Sequence, residues 1–114
     1  MKLLTVAIPC YNSESYMEHA VETALCGGEE IEILLVNDGS TDKTAEIADR
    51  LAAEHPTIIK AIHKENGGHG SAVNAGLANA SGIYYKVLDS DDWFDEQALI
   101  KVMDILKGFV KDGK

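Results

Sequence analysis

The sequence has little cysteine and few cations, and each scarcity narrows the kind of protein that it can encode. Its 114 residues include two cysteines, Cys10 and Cys26, which are too few for the disulfide framework of a small secreted domain. We therefore expect a protein of a reducing compartment, the cytoplasm. Ten lysine and arginine residues face nineteen aspartate and glutamate residues, for a formal net charge of −9. This balance argues against a nucleic-acid partner and leaves no basic patch for an anionic membrane.

The sequence also lacks a long apolar run. Residues 3–8 form the first apolar segment, but it is short, Pro9 interrupts it, and no small-residue cleavage site follows. These features exclude a membrane span and argue against a signal peptide, and they favour a β-strand instead. We expect a soluble protein with a single small domain over residues 1–114.

The most distinctive feature that is present is an acidic stretch at residues 87–93. Three carboxylates, Asp89, Asp91 and Asp92, fall within four positions directly after an apolar segment. Carboxylates this close repel one another, so a bound cation or generous hydration is needed to keep them ionised. The stretch is therefore the first candidate for a functional site. The alternative is a solvated turn whose aspartates cap the following helix.

Apolar segments and helical periodicity alternate along the chain. Strands are predicted at residues 3–8, 31–36, 58–62 and 83–88. Helices are predicted at residues 13–26, between residues 42 and 56, at residues 71–80, and from about residue 96 to a polar end at residues 111–114. Ser15 and Glu18 have the spacing of a capping box at the start of the first helix. This alternation predicts an α/β, Rossmann-like fold with three α/β/α layers and a mainly parallel sheet of about four strands.

Each predicted strand ends in a polar, turn-forming loop. The four loops contain Tyr11-Asn12, Asn37-Asp38-Gly39-Ser40, Glu65-Asn66-Gly67-Gly68 and Asp89-Ser90-Asp91-Asp92. The carboxyl ends of parallel strands lie along one edge of a sheet, which is where open α/β sheets bind ligands. We therefore expect the four loops to form one site.

The chemistry of that site is narrowed by what the loops contain. No phosphate-binding loop of the G-x-x-x-x-G-K-[ST] type occurs, and the resemblance of residues 68–73 to a dinucleotide fingerprint is loose. Alternate residues of an extended segment point the same way, so Asp89 and Asp91 can face one ligand. Their oxygens suit a hard cation, Mn²⁺ or Mg²⁺, which could in turn hold the diphosphate of a nucleotide.

The four motifs, in this order and spacing, resemble those of family 2 glycosyltransferases. The matching segments are Ile8-Pro9-Cys10-Tyr11-Asn12, Val36-Asn37-Asp38-Gly39-Ser40-Thr41-Asp42, Glu65-Asn66-Gly67-Gly68 with Asn74-Ala75-Gly76, and Leu88-Asp89-Ser90-Asp91-Asp92-Trp93. The resemblance covers nearly the whole chain. It implies the GT-A fold, a nucleotide-diphospho-sugar donor that is usually a uridine one, and inversion at the anomeric carbon.

The resemblance also implies roles for individual residues. The turn with Pro9, Tyr11 and Asn12 would contact the base and ribose together with Asp38. The loop of Asn66, Gly67 and Gly68 would close over the nucleoside. Asp89 would lie near the ribose and the metal, Ser90 would belong to the donor-binding set, and Asp91 would be the principal metal ligand.

Two positions and one larger feature depart from the family pattern. Asn37 stands where the family often has Asp, and Val73 where many members have Arg. The family's general base and acceptor site belong to a second half of the domain, so we expect the base to lie beyond Lys114. The chain is then the donor-binding portion of an enzyme of polysaccharide or cell-envelope glycan synthesis, and it transfers no sugar alone. The full-length protein would act on a glycan or lipid-linked acceptor, at the inner face of the membrane.

Several features have a second interpretation. Asp38 could simply cap the second helix. Trp93 is expected to anchor the acidic loop against the core rather than to stack on a sugar. The fourth strand, residues 84–88, would be an exposed apolar edge through which the chain self-associates. From a different functional class, the chain could be a non-catalytic nucleotide-binding or interaction module with a merely solvated aspartate cluster.

Overall fold

The four predicted strands form one parallel sheet in the computed structural model, which describes residues 2–111. The strands are β1 (Leu4–Cys10), β2 (Ile31–Asp38), β3 (Ile59–Lys64) and β4 (Tyr84–Val87). Their order across the sheet is β3-β2-β1-β4, and every neighbouring pair is parallel. The predicted α/β fold with a parallel sheet is confirmed. The predicted polar end at residues 112–114 lies outside the described residues.

Helices cover both faces of the sheet and complete three layers. They are α1 (Met17–Leu25), α2 (Thr44–Glu54), α3 (His69–Asn79) and α4 (Glu96–Lys111). The larger core cluster joins alternate residues of β1 and β2 to side chains of α1, α2 and α4, including Met17, Leu51 and Met103. A smaller cluster of Leu34, Val36 and Ala72 packs the other face against α3. β2 is buried along its entire length, because it has a neighbouring strand on each side and helices on both faces.

The prediction that the first strand stops at Pro9 is wrong, since β1 continues to Cys10 and Pro9 is in register with Val36 of β2. The carbonyl of Ala7 accepts a hydrogen bond from the Leu88 N–H, so Ala7 faces β4. Backbone groups of a parallel strand alternate between its two neighbours, and Pro9 faces the same side as Ala7. β4 ends at Val87, so the N–H that proline lacks has no strand opposite it and its absence costs no ladder bond.

The first helix begins later than predicted, at Met17, and the capping box is wrong. No side chain caps the helix. The carbonyl of Ser13 accepts hydrogen bonds from the N–H groups of Tyr16 and Met17 instead. The Glu18 carboxylate is engaged by Arg50 of α2 and is therefore turned away from the helix start.

Helix α3 lies close to the sheet because it presents small residues to it. A Cβ atom at Gly76 would lie 2.8 Å from the Cβ atom of Ala7 and 2.8 Å from the Oη atom of Tyr85. The Tyr85 hydroxyl also donates a hydrogen bond of 2.9 Å to the carbonyl of Val73 on the same helix. This close approach fixes the end of α3 that lies at the carboxyl edge of the sheet.

A buried carboxylate, which the sequence patterns did not reveal, holds the amino end of the sheet. Oε1 of Glu32 accepts hydrogen bonds from Thr5 Oγ1 and Ser81 N, both at 2.9 Å, and Oε2 accepts from Ser81 Oγ at 2.7 Å. Lys60 of β3 forms an ion pair with Oε2 at 3.1 Å. Burial alone would raise the pKa of Glu32, but the hydrogen bonds from Ser81, Thr5 and Lys60 outweigh it and leave the pKa below its usual value. Glu32 thus links β2 to both neighbouring strands and to the turn before β4.

The edges of the sheet are β3 and β4. A second, smaller cavity of about 250 Å³ lies between β4 and α4, where Leu4, Phe94, Leu99 and Val102 contribute most of an apolar lining. Among residues 2–111, no helix combines the length and the apolar character needed to cross a membrane.

We predict that Glu32→Ala lowers the free energy of unfolding by about 3 kcal/mol, because it leaves buried donors of Thr5 and Ser81 without an acceptor. Urea denaturation at neutral pH measures the change. Glu22→Ala, an exposed position on α1, is the matched control and should change stability by less than about 0.5 kcal/mol. Equal effects of the two substitutions would contradict a structural role for Glu32.

Candidate functional site

A cavity of about 580 Å³ opens at the carboxyl edge of the sheet, where the four polar loops meet. Its lining residues come from all four loops and from the first turns of two helices. They are Pro9, Cys10, Tyr11, Tyr16, Asp38, Asn66, Gly68, His69, Ala72, Asp89, Ser90 and Asp91. The expectation that segments far apart in sequence form one site is therefore met by the fold.

Eight of the ten residues predicted for the site line this cavity, and two do not. Asn12 and Gly67 lie just behind the wall, where each holds a loop in place. Oδ1 of Asn12 accepts a hydrogen bond from the Thr41 N–H at 2.8 Å, which ties the first loop to the second. Asn12 has a φ of 48°, a left-handed conformation that asparagine tolerates better than most residues.

Asp38 organises the third loop with its carboxylate. Oδ1 accepts hydrogen bonds from Lys64 Nζ and from the Gly67 N–H, both at 2.9 Å, and Oδ2 accepts from the Gly68 N–H at 3.0 Å. The side chain is only 5% exposed. Burial alone would raise the pKa of Asp38, but the hydrogen bonds from Lys64, Gly67 and Gly68 outweigh it and hold the pKa below its usual value. Asp38 does not cap α2; Asp42 does, by accepting from the Thr44 N–H at 2.9 Å.

Backbone contact reinforces the link between the second and third loops. Gly39 has a φ of +67°, and a Cβ atom there would lie 2.6 Å from the Asn66 nitrogen. The Asn66 side chain donates a hydrogen bond of 3.1 Å to the Asp38 carbonyl. Glycine is required at position 39 both by its conformation and by this close approach.

Asn37 belongs to a polar chain behind the second loop rather than to the cavity. Its Oδ1 atom accepts a hydrogen bond from the Ser40 N–H at 3.1 Å, so its amide nitrogen faces Nδ1 of His63, also at 3.1 Å. Nδ1 must therefore accept, and the His63 proton lies on Nε2, 2.7 Å from Oδ1 of Asp49. The Asn37 amide thus links the turn at Ser40 to β3 and α2.

The acidic loop places two carboxylates at the cavity and buries the hydroxyl between them. Asp89 and Asp91 line the cavity, whereas Asp92 does not and accepts a hydrogen bond from the Trp93 N–H. Oδ1 of Asp89 lies 3.1 Å from Nε2 of His69, and both of these side chains are largely exposed. The Ser90 hydroxyl is turned inward and lies 2.8 Å from the Ser13 hydroxyl.

The donor atoms at this loop fit a hard divalent cation. Two carboxylates at the cavity wall supply the oxygen ligands that Mg²⁺ and Mn²⁺ prefer, and such ions complete their shell with water and phosphate oxygens. Within residues 2–111, no three His, Cys, Asp or Glu side chains are grouped to hold a metal ion by themselves. Asp89 and Asp91 could therefore hold a cation together with a diphosphate, but they do not form a closed protein cage.

The expectation that Trp93 anchors the acidic loop in the core is wrong. Trp93 is 57% exposed and packs against the His19 ring, with ring centroids 5.2 Å apart. Phe94 is the residue that packs against the core, and its N–H donates a hydrogen bond of 3.0 Å to Thr23 Oγ1. The two aromatic residues are adjacent, and in an irregular loop no periodicity indicates which one turns inward.

Five residues that matter for the site were not predicted as part of it. Cys10, Tyr16, His69 and Ala72 line the cavity, and Ser13 lies beneath it. Burial raises the pKa of the Cys10 thiol to about 12, so this cysteine stays protonated and is no nucleophile at neutral pH. His69 and Ala72 could have been inferred from their positions at the start of α3, directly after the third loop.

The fold and the cavity define a class: α/β domains that bind a ligand across the carboxyl ends of parallel strands. Sequence comparison then identifies the family. The model for glycosyl transferase family 2 matches residues 5–112, and the chain belongs to that family.

Relatives of this chain include enzymes named for glycan synthesis. Chondroitin synthase of Pasteurella multocida (strain Pm70) is 39% identical over 111 residues, which are 96% of this chain and 11% of that protein. The minor teichoic acid biosynthesis protein GgaA of Bacillus subtilis (strain 168) is 37% identical over 108 residues, which are 90% of this chain and 24% of that protein. The chain therefore spans about a tenth to a quarter of the length of these relatives.

A solved structure supports the same fold. The crystal structure of S. aureus TarS 1-349 in complex with UDP-GlcNAc superposes with a TM-score of 0.79 at 29% identity, over 95% of this chain and 32% of that one. The predicted GT-A fold and membership of a family 2 glycosyltransferase are thereby confirmed.

We predict that Asp38→Asn destabilises the protein most near neutral pH. The folded-state pKa of Asp38 lies below its unfolded value of about 3.9, so the carboxylate stabilises the fold above that value. This contribution is lost as the pH falls through the lower folded-state pKa. The difference in unfolding free energy between wild type and variant should therefore shrink below about pH 4, which urea denaturation from pH 7 to pH 3 measures.

The control for this comparison is Asp104→Asn on the exposed surface of α4, for which the difference should be small at every pH. A destabilisation by Asp38→Asn that stays constant from neutral to acid pH would contradict the assignment of an ionised, hydrogen-bonded Asp38.

Proposed function

We propose that this chain is the donor-binding portion of a glycosyltransferase, and that its donor is a uridine-diphospho-sugar. The observation that carries the proposal is the convergence of Asp38, the loop at Asn66 to Gly68, and the pair Asp89 and Asp91 on one cavity. Its size suits a nucleotide, since small-molecule sites occupy roughly 300–1,000 Å³. The TarS complex with UDP-GlcNAc, a structural neighbour at 29% identity, supports the choice of uridine.

The charges around the cavity indicate how a diphosphate would be held. The Lys64 ammonium lies against the Asp38 carboxylate, so its charge is already compensated. Asp89 and Asp91 add negative charge, which would repel a bare diphosphate. We therefore propose that Asp91, with Asp89, holds Mn²⁺ or Mg²⁺ as the counterion. When bound, such a cation would offset the charge on the departing nucleoside diphosphate.

The remaining site residues would recognise the nucleoside. In the proposed arrangement, Pro9 and Tyr11 form one wall for the base, with Asn12 supporting that turn through Thr41. Asn66 and Gly68 form the opposite wall, and Gly67 supports it through Asp38. Ser90 contributes by setting the course of the acidic loop. The Asp38 carboxylate retains one open acceptor position, because Oδ2 accepts one hydrogen bond.

Sugar transfer itself would need more than these residues. A general base must reach the acceptor hydroxyl, and we propose that it is supplied beyond Lys114, together with the site for a glycan or lipid-linked acceptor. The relatives named for chondroitin and teichoic acid synthesis favour a polysaccharide or cell-envelope glycan as product. We also propose that residues 1–114 form one domain of an enzyme that acts in the cytoplasm at the inner face of the membrane. Incubation of the chain with UDP-sugars should show no transfer to acceptor glycans, and donor-dependent glycosylation would contradict this division of roles.

We predict that UDP binds this chain weakly and that Mn²⁺ strengthens the binding by about tenfold, or about 1.4 kcal/mol. Asp91→Ala should abolish the strengthening because it removes the principal metal ligand. Calorimetric titration of UDP with and without Mn²⁺ measures both values.

Asp92→Ala is the matched control for this titration, since it removes a neighbouring carboxylate that does not line the cavity. It should leave the effect of Mn²⁺ unchanged. UDP binding that is indifferent to Mn²⁺ in the wild-type chain would favour the second candidate function, a non-catalytic nucleotide-binding module. No binding of UDP at all would favour an interaction module.

We further propose that the chain self-associates through β4, including the residues from Tyr84 onward to Leu88. β4 is an edge strand, and edge strands pair readily with other strands. The exposed side chains of Val102, Ile105 and Phe109 form an apolar stripe on α4, beside the cavity that separates α4 from β4. An antiparallel pairing of two β4 strands would bring two such stripes together.

We predict a concentration-dependent increase in sedimentation coefficient that Val87→Pro suppresses. The backbone N–H of Val87 points away from β1, because Leu88 is the residue that bonds to Ala7, so proline would remove an outward donor alone. Ala61→Pro removes an outward N–H from β3, the opposite edge, and should leave association intact. A wild-type chain that remains monomeric at high concentration would rule the proposal out.

A further inference from the structure

Ser13 connects the first polar loop to the acidic loop through a buried hydrogen bond. Its Oγ atom lies 2.8 Å from the Oγ atom of Ser90, and the two residues are 1% and 9% exposed. Ser90 stands between Asp89 and Asp91 in the sequence. The contact therefore joins the turn proposed to receive the base with the loop proposed to hold the cation.

Every polar group of Ser13 is committed, so its position is fixed from several sides. Its N–H donates to Thr44 Oγ1 at 2.8 Å, at the start of α2. Its carbonyl accepts from Tyr16 and Met17, at the start of α1. Its hydroxyl also accepts from the Tyr11 N–H at 3.1 Å. Ser13 is thus held by the starts of two helices and can act as a rigid anchor for the loop that it touches.

The acidic loop has little else to hold it near its two cavity carboxylates. Within the described residues, Asp91 makes no side-chain hydrogen bond or ion pair, and the Asp89 carboxylate contacts the exposed ring of His69. A turn bond from the Asp92 N–H to the Asp89 carbonyl, 2.9 Å long, shapes the loop locally but does not tie it to the sheet. The buried Ser90 hydroxyl is the side-chain anchor of this segment.

We infer that Ser13 is a positioning residue for the cation site: by holding Ser90, it sets where the carboxylates of Asp89 and Asp91 stand. This inference rests on the proposed function, because it assigns Ser13 to the same donor and metal site. Ser13 itself touches neither the donor nor the cation. Its effect is to couple the two halves of the site, so that the metal is held at the correct distance from the nucleoside.

The test compares UDP binding with and without Mn²⁺ in Ser13→Ala, Ser90→Ala and the double variant. Loss of one buried hydrogen bond should lower the Mn²⁺-dependent gain in UDP affinity about fivefold in each variant. UDP affinity without metal should stay near the wild-type value. The double variant should lose no more than either single variant, because both substitutions break the same contact.

Ser40→Ala is the matched control. The Ser40 hydroxyl accepts a hydrogen bond from the Asn12 N–H at 3.0 Å and so ties together two loops without reaching the acidic one. This variant should keep the full effect of Mn²⁺. Amide hydrogen exchange in the metal-free protein gives a second readout: Ser13→Ala should speed exchange at residues 90–92 more than at residues 66–68.

Three outcomes would overturn the inference: an unchanged Mn²⁺ effect in both single variants, an equal loss of UDP affinity with and without metal, or unaltered exchange at residues 90–92. If Ser13→Ala fails to fold, Ser90→Ala decides alone, since Ser90 lacks the further contacts of Ser13. Absence of Mn²⁺-dependent binding in the wild-type chain contradicts the proposed function instead, and so distinguishes the two failures.

Discussion

The geometry of the cavity depends on one buried carboxylate, Asp38. It stands at the last position of β2, directly opposite Lys64 in the register of β2 with β3. Its two oxygens accept hydrogen bonds from Lys64 and from two consecutive backbone N–H groups, those of Gly67 and Gly68. Backbone N–H groups without acceptors would be costly so close to the sheet. The third loop therefore closes over the strand ends, and one wall of the cavity follows from a single side chain.

The same principle operates at the opposite end of β2. Glu32 and Asp38 are six residues apart on a strand that is buried throughout, and both carboxylates are ionised because hydrogen bonds from neighbouring segments outweigh the cost of burial. Glu32 gathers Thr5, Lys60 and Ser81, whereas Asp38 gathers the loop after β3. The central strand thus fixes the amino end of the sheet with one charge and the functional edge with another. Apolar packing of Ile33 and Leu35 between them supplies the hydrophobic core but carries no information about the loops.

The sequence predicts the sheet and the place of the site well because both follow from periodicity. Continuous apolar runs ending in polar loops indicate buried parallel strands, and the parallel arrangement then brings the loop ends together. Side-chain hydrogen bonds between loops have no such periodicity. Ser13 follows the recognised motif by one position, and its partner Ser90 is 77 residues away, so neither residue signals the contact. Pro9 was misjudged for a related reason: whether proline ends a strand depends on which neighbour its missing N–H faces, and that is a property of the assembled sheet.

The distribution of charge explains why the cavity combines a buried anion with exposed ones. Asp38 is compensated by Lys64, so the pair adds little net charge to the site. Asp89 is 60% exposed, and within residues 2–111 its contact is with His69, while Asp91 has no cationic partner there. Carboxylates left in water cost little to keep ionised and remain available as ligands, whereas a buried, paired carboxylate would have to break its hydrogen bonds before it could bind a cation. The depth of each aspartate therefore assigns its role: the buried one builds the wall, and the exposed ones are suited to a ligand that arrives with its own negative charge.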